Sequence, residues 1–575
     1  MRYGALTIAI CLYGCQPDST ATDARHEGTE AGDCADRADN DQDGRFDCDD
    51  EGCAGSPDCR DVPGTDADDP IPLDGGTEDA SGTVDAGPTG DATPLDAAAP
   101  RDAVVTSDRG GLADAGLAPP EPRGDPCADR PTVRVSTEGA DGPDCGADDA
   151  PCGSIRHALS LAADGDAVCV GPGTYAERWI QVPTGVWLVG VDGPSATAIA
   201  SGTLSAVRFD GVERAGVQGF EVYGEWGAGD PGDGLVRVLD STDITVRDMI
   251  IHDGPNDQDC LKVSGRVTRL LMDRLVAWNP GPRTDSDNFQ EVVDIAGITR
   301  DINPGGPPPV SDVTLRGSWL FHVDGVGDWL TYTKINTEKI IFENNIFGPS
   351  AGRGYGNGAV GVGTGEAGRP VAESIVANHV IVRNNVFVGN QGDATLAVQN
   401  AADVWIYGNT FFANSGDNLR AIIMLRGNQH PLGRVRILGN IFQNNHPGKD
   451  GETFIWERSP RPDDFTLDYN LYLDNIEHSE VAYREEAHGV YDVDPGLFNP
   501  GIPATDVRTL ARISEIAARF GIGADSPARG AGLDVVGEPG HPNWRPGVTD
   551  RRWDLLGRPR PPGAAADLGA LQGVE

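Results

Sequence analysis

The residues best suited to chemistry lie in three acidic stretches in the middle of the chain, at 252–263, 283–294 and 322–334. Carboxylate oxygens are the ligands that Ca²⁺ prefers, and crowded carboxylates without a cation would raise one another's pKa values. The stretches therefore predict a Ca²⁺ site, with ligands Asp253, Asp257, Asp259, Asp285 and Asp287. The competing interpretation is a set of solvated turns that bind no metal.

Basic side chains accompany these carboxylates, although the whole chain has only four lysines. The candidates for a catalytic base are Lys262, Arg283 and Lys334. A lysine beside Ca²⁺ would have its pKa lowered, which a general base requires. Lys262 also alternates with Leu261 and Val263, so a solvated strand residue on the outside of a sheet is an equally consistent interpretation.

A sequence repeat supplies the elements that must position these residues. A five-residue pattern, typified by Glu343–Phe347 and Arg383–Phe387, occurs nine times, and short β-forming runs precede the copies after the first. The copies are 24 to 31 residues apart, with two longer intervals of 44 and 40 residues. Such a period predicts a solenoid, here an all-β, right-handed parallel β-helix whose core forms only when coils stack.

The repeat also predicts which residues of adjacent coils lie next to each other. Equivalent positions in adjacent coils of a parallel β-helix lie about 4.8 Å apart, so the three acidic stretches should stack. Asn at a repeated bend can adopt the left-handed conformation, and its amide can hydrogen-bond along the stack. The alternative fold is an antiparallel sandwich, but its hairpins should recur about every 8–12 residues.

Residues 1–15 predict a lipoprotein signal peptide, because Arg2 precedes a short apolar run. The run ends at Leu12–Cys15, which resembles a bacterial lipobox except at Tyr13, and Cys15 would then carry the lipid. We therefore expect an exported protein anchored by lipid to the bacterial outer membrane or cell surface. The alternative is an ordinary secretory signal cleaved elsewhere.

A Cys-rich acidic module follows at 16–60, with disulfide candidates Cys34, Cys48, Cys53 and Cys59. Alternating carboxylates before a glycine predict a second Ca²⁺ loop, with ligands Asp39, Asp41, Asp43 and Asp50. The stretch resembles the Cys-rich Asp-Asn-Asp-x-Asp-Gly modules of secreted myxobacterial proteins. The alternative is an acidic spacer closed by two disulfides.

Residues 61–126 predict a disordered linker, because they contain few large apolar side chains. The whole chain has 89 acidic and 45 basic residues, a net charge of −44. This charge argues against nucleic acid as a partner. We found no internal apolar run of 18 residues, so no transmembrane helix is expected.

The folded part is expected at 127–575, with a cap at 127–180, coils at 180–475 and a C-terminal segment at 476–575. The sequence predicts a strand at Val133–Ser136, an amphipathic helix over 154–163 and a strand at Ala167–Val170. The N-terminal cap and first coil of pectate-lyase-like β-helix proteins are resembled by Val135–Ser136, Ala150–Pro151, Ile155, Ala158, Gly165–Asp166 and Pro172–Tyr175. The C-terminal residues extend this resemblance over 133–571. A helix is predicted over 505–519, with Asp506 capping Val507 to Phe520. Cys127, Cys145, Cys152 and Cys169 predict two cap disulfides. Three pairings are open, of which we favour Cys145–Cys152 with Cys127–Cys169.

The resemblance implies polysaccharide as a partner, and we expect a monomer. The acidic stretches then suggest a Ca²⁺-dependent polysaccharide lyase. Such an enzyme removes the proton beside a uronate carboxylate and expels the 4-linked sugar. A glycoside hydrolase with a carboxyl pair such as Asp324 and Asp328 is the competing chemistry. A non-catalytic glycan-binding or adhesive protein is the third hypothesis, with Tyr332, Trp405 and Tyr407 as candidate sugar-stacking rings or, equally, as core residues.

Overall fold

The computed structural model describes most of the chain beyond residue 123. The described residues are 124–229, 232–284, 290–297, 310–323, 327–350, 358–363, 376–426, 432–448, 453–457, 464–475, 486–560, 562 and 565–573. They form the right-handed parallel β-helix that the repeat predicted. Neighbouring coils pair in parallel register, as in Ile340 opposite Val380 and Val380 opposite Val404.

A complete coil contributes three short strands, for example Thr337–Glu343, Ile346–Phe347 and Gly358–Val362. The first two join a 22-stranded sheet, which we call the large sheet, and the third joins a ten-stranded sheet, which we call the small sheet. The small sheet contains Ile180–Gln181, Val207–Asp210, Gly234–Leu239, Asp259–Ser264, Val293–Ile295, Trp329–Thr333, Gly358–Val362, Ala394–Gln399, Ala421–Arg426 and Thr453–Glu457.

The large sheet contains Thr132–Val135, Ala167–Val170, Gly173–Tyr175, Trp187–Gly190, Thr197–Ala200, Gly216–Gln218, Glu221–Tyr223, Thr242–His252, Val267–Trp278, Val310–Arg316, Trp319–Leu320, Thr337–Glu343, Ile346–Phe347, Ala377–Arg383, Val386–Val388, Ala401–Tyr407, Thr410–Phe412, Val435–Leu438, Ile441–Gln443, Phe465–Asp468, Leu471–Leu473 and Val490–Tyr491. A two-stranded pair joins Ser415–Gly416 to His446–Pro447.

The sheets enclose one long apolar core. Valine, isoleucine and leucine side chains alternate into it, because successive strand residues point to opposite faces. The phenylalanines of the repeat stack along the axis, with ring centroids 5.2, 4.5 and 4.7 Å apart from Phe347 through Phe387 and Phe411 to Phe442. The repeated Phe therefore holds successive coils together by ring stacking.

An asparagine ladder marks the bend between the first and second strand in five successive coils. Its members, all fully buried, are Asn345, Asn385, Asn409, Asn440 and Asn470. Each side-chain oxygen of the last four accepts from both the backbone N–H and the amide of the preceding ladder residue, at 2.9–3.0 Å. The left-handed residue is the one before the ladder position, as at Asn344 (φ 58°) and Asn384 (φ 55°).

The N-terminal cap contains the helices Pro126–Asp129 and Ile155–Leu161. Ser154 caps the second helix by accepting a hydrogen bond from the His157 N–H, and Ile155, Ala158 and Leu159 are buried. The favoured cap disulfides, Cys127–Cys169 and Cys145–Cys152, are both present. The other four disulfide candidates, Cys34, Cys48, Cys53 and Cys59, lie outside the described residues, as does the lipidation candidate Cys15.

The C-terminal segment contains the helix Leu510–Ala518 and the 3₁₀ helix Val535–Gly537. The sequence predicts that the longer helix begins at Val507 with Asp506 as its cap. In the structure Asp506 accepts from the adjacent Val507 N–H, and the helix begins three residues later, at Leu510. Where the structure describes the chain, its helices are too short or too polar to cross a membrane.

Candidate functional site: a buried charged cluster on the small sheet

Three neighbouring strands of the small sheet place charged side chains on its outward face. Lys262 of Asp259–Ser264 lies opposite Asp294 of Val293–Ile295, which lies opposite Tyr332 of the next strand. Leu261 and Val263 are fully buried in the core, so alternation places Lys262 outward, as expected. The same alternation places Asp294 beside Lys262.

Three carboxylates form the base of the site. Asp259, Glu291 and Asp294 are each at most 1 % exposed, and each has a carboxylate oxygen within 4.8 Å of the others. The Glu291 N–H donates to Asp259 at 2.9 Å, which fixes that side chain. Burying three carboxylates together is unfavourable without positive charge, so the cluster requires counter-ions.

Two lysines supply this charge. Lys262 Nζ contacts Asp294 and lies 3.2 Å from Asp259 Oδ2. Lys334 Nζ lies 2.9 Å from both Asp294 Oδ2 and Glu291 Oε1. Burial opposes the charge of each lysine, but the neighbouring carboxylates outweigh it and raise the pKa of both. As they stand, both lysines are protonated ion-pair partners rather than bases.

The carboxylates respond unequally. Burial raises the pKa of Asp259 well above its usual value, against the attraction of Lys262. Burial would also raise the pKa of Asp294, but Lys262 and Lys334 outweigh it and hold that pKa low. Asp294 is therefore the ionised centre of the cluster, while Asp259 retains a proton more readily.

Arg283 and Asp328 extend the site at its outer edge. Arg283 Nη2 lies 3.6 Å from Glu291 Oε1 and 3.9 Å from Asp328 Oδ2. Burial, reinforced by the Glu291 charge, raises the pKa of Asp328 to about 8. Near neutral pH this carboxyl group holds a proton, so it is able to donate one. We refer to Asp259, Glu291, Asp294, Lys262, Lys334, Arg283 and Asp328 together as the charged cluster.

Two carboxylate oxygens of the cluster have no hydrogen-bond donor among the described residues. These are Glu291 Oε2 and Asp294 Oδ1, both of which are buried. Leaving such oxygens unsatisfied is costly, and a hard cation with oxygen ligands would satisfy both. The donor set of Asp259, Glu291 and Asp294 therefore fits Ca²⁺ by its chemistry.

The predicted Ca²⁺ ligands do not all meet at this place. Asp253 accepts from His252 at 2.8 Å and from Asn279 at 2.9 Å. Asp257 accepts from the Thr284 backbone at 3.0 Å and from its hydroxyl. Among the predicted ligands in the described part of the chain, only Asp259 belongs to the cluster. Asp285, Asp287, Asp324 and the N-terminal ligands Asp39, Asp41, Asp43 and Asp50 lie outside the described residues.

The three predicted catalytic candidates do meet. Lys262, Arg283 and Lys334 come from three different parts of the sequence. Lys334 shares Asp294 with Lys262 and shares Glu291 with Arg283. The ligand prediction omitted Glu291 and Asp294, although both lie in the second acidic stretch. The sequence did contain a signal for Asp294. Val293 and Ile295 flank it as Leu261 and Val263 flank Lys262, so alternation places both charged side chains on the outward face of the sheet.

Aromatic side chains differ in their surroundings. Trp329 and Tyr332 stack beside the cluster, with ring centroids 5.0 Å apart, and Lys334 Nζ lies 5.7 Å from the Tyr332 ring centre. Trp405 and Tyr407 are 1 % and 7 % exposed and pack against Val535 and Val548 of the C-terminal segment. Those two rings are therefore core residues, the second of the two interpretations given above.

Comparison with known proteins concerns the fold. No protein-family model matches the chain, and no curated protein matches it in sequence. Among solved structures, the chain is similar to the pectate lyase Pel9A, with 13 % identity, a TM-score of 0.43, and coverage of 78 % of this chain and 98 % of that one.

A rhamnogalacturonan lyase is similar at 14 % identity and a TM-score of 0.40, over 65 % of this chain and 90 % of the lyase. The A-module of the Azotobacter vinelandii mannuronan C-5 epimerase AlgE6 is similar at 15 % identity and a TM-score of 0.34, over 59 % of this chain and 91 % of the module. At these identities neither a substrate nor a catalytic residue transfers to this chain.

Proposed function

We propose that the protein is a polysaccharide lyase that acts on a uronate-containing polysaccharide at the charged cluster. The observation that carries the proposal is the group of three buried carboxylates with two unsatisfied oxygens, set among three convergent basic side chains. Strongly perturbed ionisable groups of this kind are typical of sites that move protons.

The chemistry requires neutralisation of the uronate carboxylate and a base for the adjacent proton. Ca²⁺ held by Asp259, Glu291 and Asp294 would supply the neutralising charge. Lys262 and Lys334 would then share their carboxylate partners, so their pKa values would fall toward those of a base. Arg283, at the outer edge, is placed to orient the anionic sugar by charge-assisted hydrogen bonds.

Glycoside hydrolysis is the second candidate, and the raised pKa of Asp328 favours it. Asp328 Oδ2 and Glu291 Oε1 both lie within 4 Å of the same Arg283 atom, so they are at most about 8 Å apart. Carboxyl pairs in glycosidases are separated by about 5–9.5 Å. In this alternative, Asp328 donates the proton and Glu291 is the carboxylate.

The test is incubation with polygalacturonate, alginate and a glycosaminoglycan, with added Ca²⁺ or with chelator. A lyase generates reducing ends together with the ultraviolet absorbance of an unsaturated uronate, and the chelator should abolish both. Reducing ends without the absorbance would support hydrolysis instead, and Asp328→Asn should then remove activity. If neither product forms, and the polysaccharides still bind, the non-catalytic hypothesis replaces both.

The lysines offer a matched control. Lys262→Met and Lys334→Met should each lower lyase turnover at least a hundredfold, since general-base contributions are typically 10²–10⁴-fold. Lys339→Met alters a more exposed lysine paired with Glu338 and should leave turnover unchanged. Equal activity in all three variants would contradict the assignment of a lysine base.

A further inference from the structure

A second concave feature lies on the large sheet, away from the strands that carry the charged cluster. It is a cleft of about 400 Å³ between strands of the last described coils and the residues around the 3₁₀ helix Val535–Gly537. Its lining includes Trp405, Thr466, Tyr469, His488 and Glu538. Clefts of roughly 300–1,000 Å³ accommodate small ligands, and one of this size has room for about two sugar rings.

A fixed pair of rings forms part of this lining. Tyr469 and His488 stack with centroids 4.3 Å apart and ring planes 7° apart. Asp468 holds both residues, because it accepts from the Tyr469 N–H at 2.9 Å and from the His488 N–H and Nδ1 at 2.8 and 2.9 Å. The pair is therefore held in its orientation before any ligand arrives, which lowers the entropy lost on binding.

The backbone at Tyr469 is unusual for an aromatic residue. Its φ is 59°, in the left-handed region that is unfavourable for bulky side chains. The equivalent positions of the five preceding coils, all at positive φ, are Gly317, Asn344, Asn384, Gly408 and Gly439. Two earlier coils place Arg274 and Asp248 at this position, also at positive φ, so it accepts other side chains. A bulky ring in this conformation still retains local strain, which is often found at functional sites.

The polar groups of the cleft indicate the kind of ligand. Neither the Glu538 carboxylate nor the Thr466 hydroxyl forms a hydrogen bond within the described structure, so both are free to bind hydroxyl groups. Arg436, by contrast, is occupied by Asp464 and lies 5.8 Å from the Trp405 ring centre. With its basic group neutralised and two carboxylates in its lining, the cleft disfavours an anion.

We propose that this cleft is a binding site for a neutral oligosaccharide, with the Tyr469–His488 pair as the surface on which a sugar ring stacks. Glu538 accepts hydrogen bonds from sugar hydroxyls, and Thr466 both donates and accepts. The site is distinct from the charged cluster, whose basic residues select an anionic sugar. It would hold a neutral chain or branch while the cluster engages a uronate, but its occupancy does not depend on catalysis.

The test is a titration of the full-length protein with cellotetraose, xylotetraose and mannotetraose, followed by ligand-observed saturation-transfer NMR. The decisive variant is Tyr469→Asn, because Asn occupies the same backbone position in two earlier coils and keeps the left-handed conformation. The wild type should bind at least one of the three sugars. Tyr469→Asn should weaken that binding about tenfold or more while its melting temperature stays equal or rises.

Glu538→Gln should also weaken binding, and Asp294→Asn, in the charged cluster, should leave it unchanged. The inference fails if none of the three sugars binds at about 10 mM, a concentration that would reveal even weak affinity. It also fails if Tyr469→Asn binds as well as wild type. Displacement of the bound sugar by tetragalacturonate would overturn the assignment to a neutral ligand. Loss of lyase activity has no bearing on any of these outcomes.

Discussion

Asn385→Ala should destabilise the β-helix far more than an ordinary polar substitution. Asn385 is fully buried at the centre of the asparagine ladder. Its amide donates to Phe342 O at 2.9 Å and to Asn409 Oδ1 at 3.0 Å. Its side-chain oxygen accepts from the backbone N–H and the amide of Asn345, at 2.9 and 3.0 Å. Alanine abolishes all four bonds.

The loss in free energy of unfolding follows from the hydrogen bonds that the neighbouring residues keep and lose. The amide of Asn345 still bonds to Leu315 O, and Asn409 Oδ1 still accepts from the backbone of residue 385. The backbone N–H of Asn345, however, loses the partner that the ladder gave it. Four lost bonds at about 0.5–1.5 kcal/mol each, with about 1–3 kcal/mol for a buried unsatisfied donor, give a total of about 3–9 kcal/mol.

The assay is equilibrium unfolding in guanidinium chloride, monitored by far-ultraviolet circular dichroism. Asn378→Ala is the matched control, since Asn378 lies in the strand Ala377–Arg383 that leads to the ladder bend. Among the described residues, its side chain accepts only from the His379 N–H, at 3.0 Å. The control should change the free energy of unfolding by no more than about 1 kcal/mol. Equal effects of the two substitutions would refute the view that the ladder stabilises the fold.

Three further predictions concern the cap, the cluster and the C-terminal segment. Replacing Cys127 and Cys169 by serine opens a disulfide that spans 42 residues and should lower the free energy of unfolding by about 4 kcal/mol, as measured by thermal denaturation; an unchanged melting temperature would contradict this. The pKa of Asp328 is about 8 in the folded state and about 4 when unfolded. Its contribution to stability is therefore complete below pH 4 and is lost as pH rises through 8. Asp328→Asn should be more stable relative to wild type at pH 9 than at pH 5, and a difference that does not change with pH would refute the shift. Arg383, fully buried, bonds Glu343 Oε2 at 2.6 Å and the carbonyl of Thr549 at 2.6 Å, so Arg383→Ala should cost about 3–5 kcal/mol and speed proteolysis near residue 549; resistance equal to wild type would count against this anchor.

The fold could be predicted from the sequence because a solenoid repeats its information. The Asn and Phe of the repeat recur at intervals of 24 to 40 residues, each time after a β-forming run. Local patterning also identified the strand Ala167–Val170 and the capping helix. Both cap disulfides agree with the pairing favoured from sequence. The predicted start of the helix Leu510–Ala518 was less accurate, because an Asp near a helix start does not necessarily cap it.

The candidate site was predictable in its residue types but not in its partners. Sequence indicated that Lys262, Arg283 and Lys334 belong to the acidic stretches, and the structure brings them together. It did not indicate that Glu291 and Asp294 would be their partners. The repeat predicts which residues stack at the bends, but Glu291 and Asp294 lie in the 44-residue interval between two copies, where the repeat does not define the register. The burial of Trp405 by residues more than a hundred positions later is a long-range contact that no local pattern reveals.

The central claim, that the charged cluster binds Ca²⁺ and thereby frees a proton, is tested most directly by calorimetric titration of Ca²⁺ in two buffers of different ionisation enthalpy. Wild type and Asp294→Asn should be compared in a background carrying Asp41→Asn and Asp43→Asn, which removes the predicted N-terminal loop as a competing site. We predict that the protein that retains Asp294 binds Ca²⁺ and releases about one proton per ion, since Asp259 or a lysine must deprotonate. Asp294→Asn should abolish both the binding and the proton release. Identical titrations of the two proteins, or binding without proton release, would contradict the account.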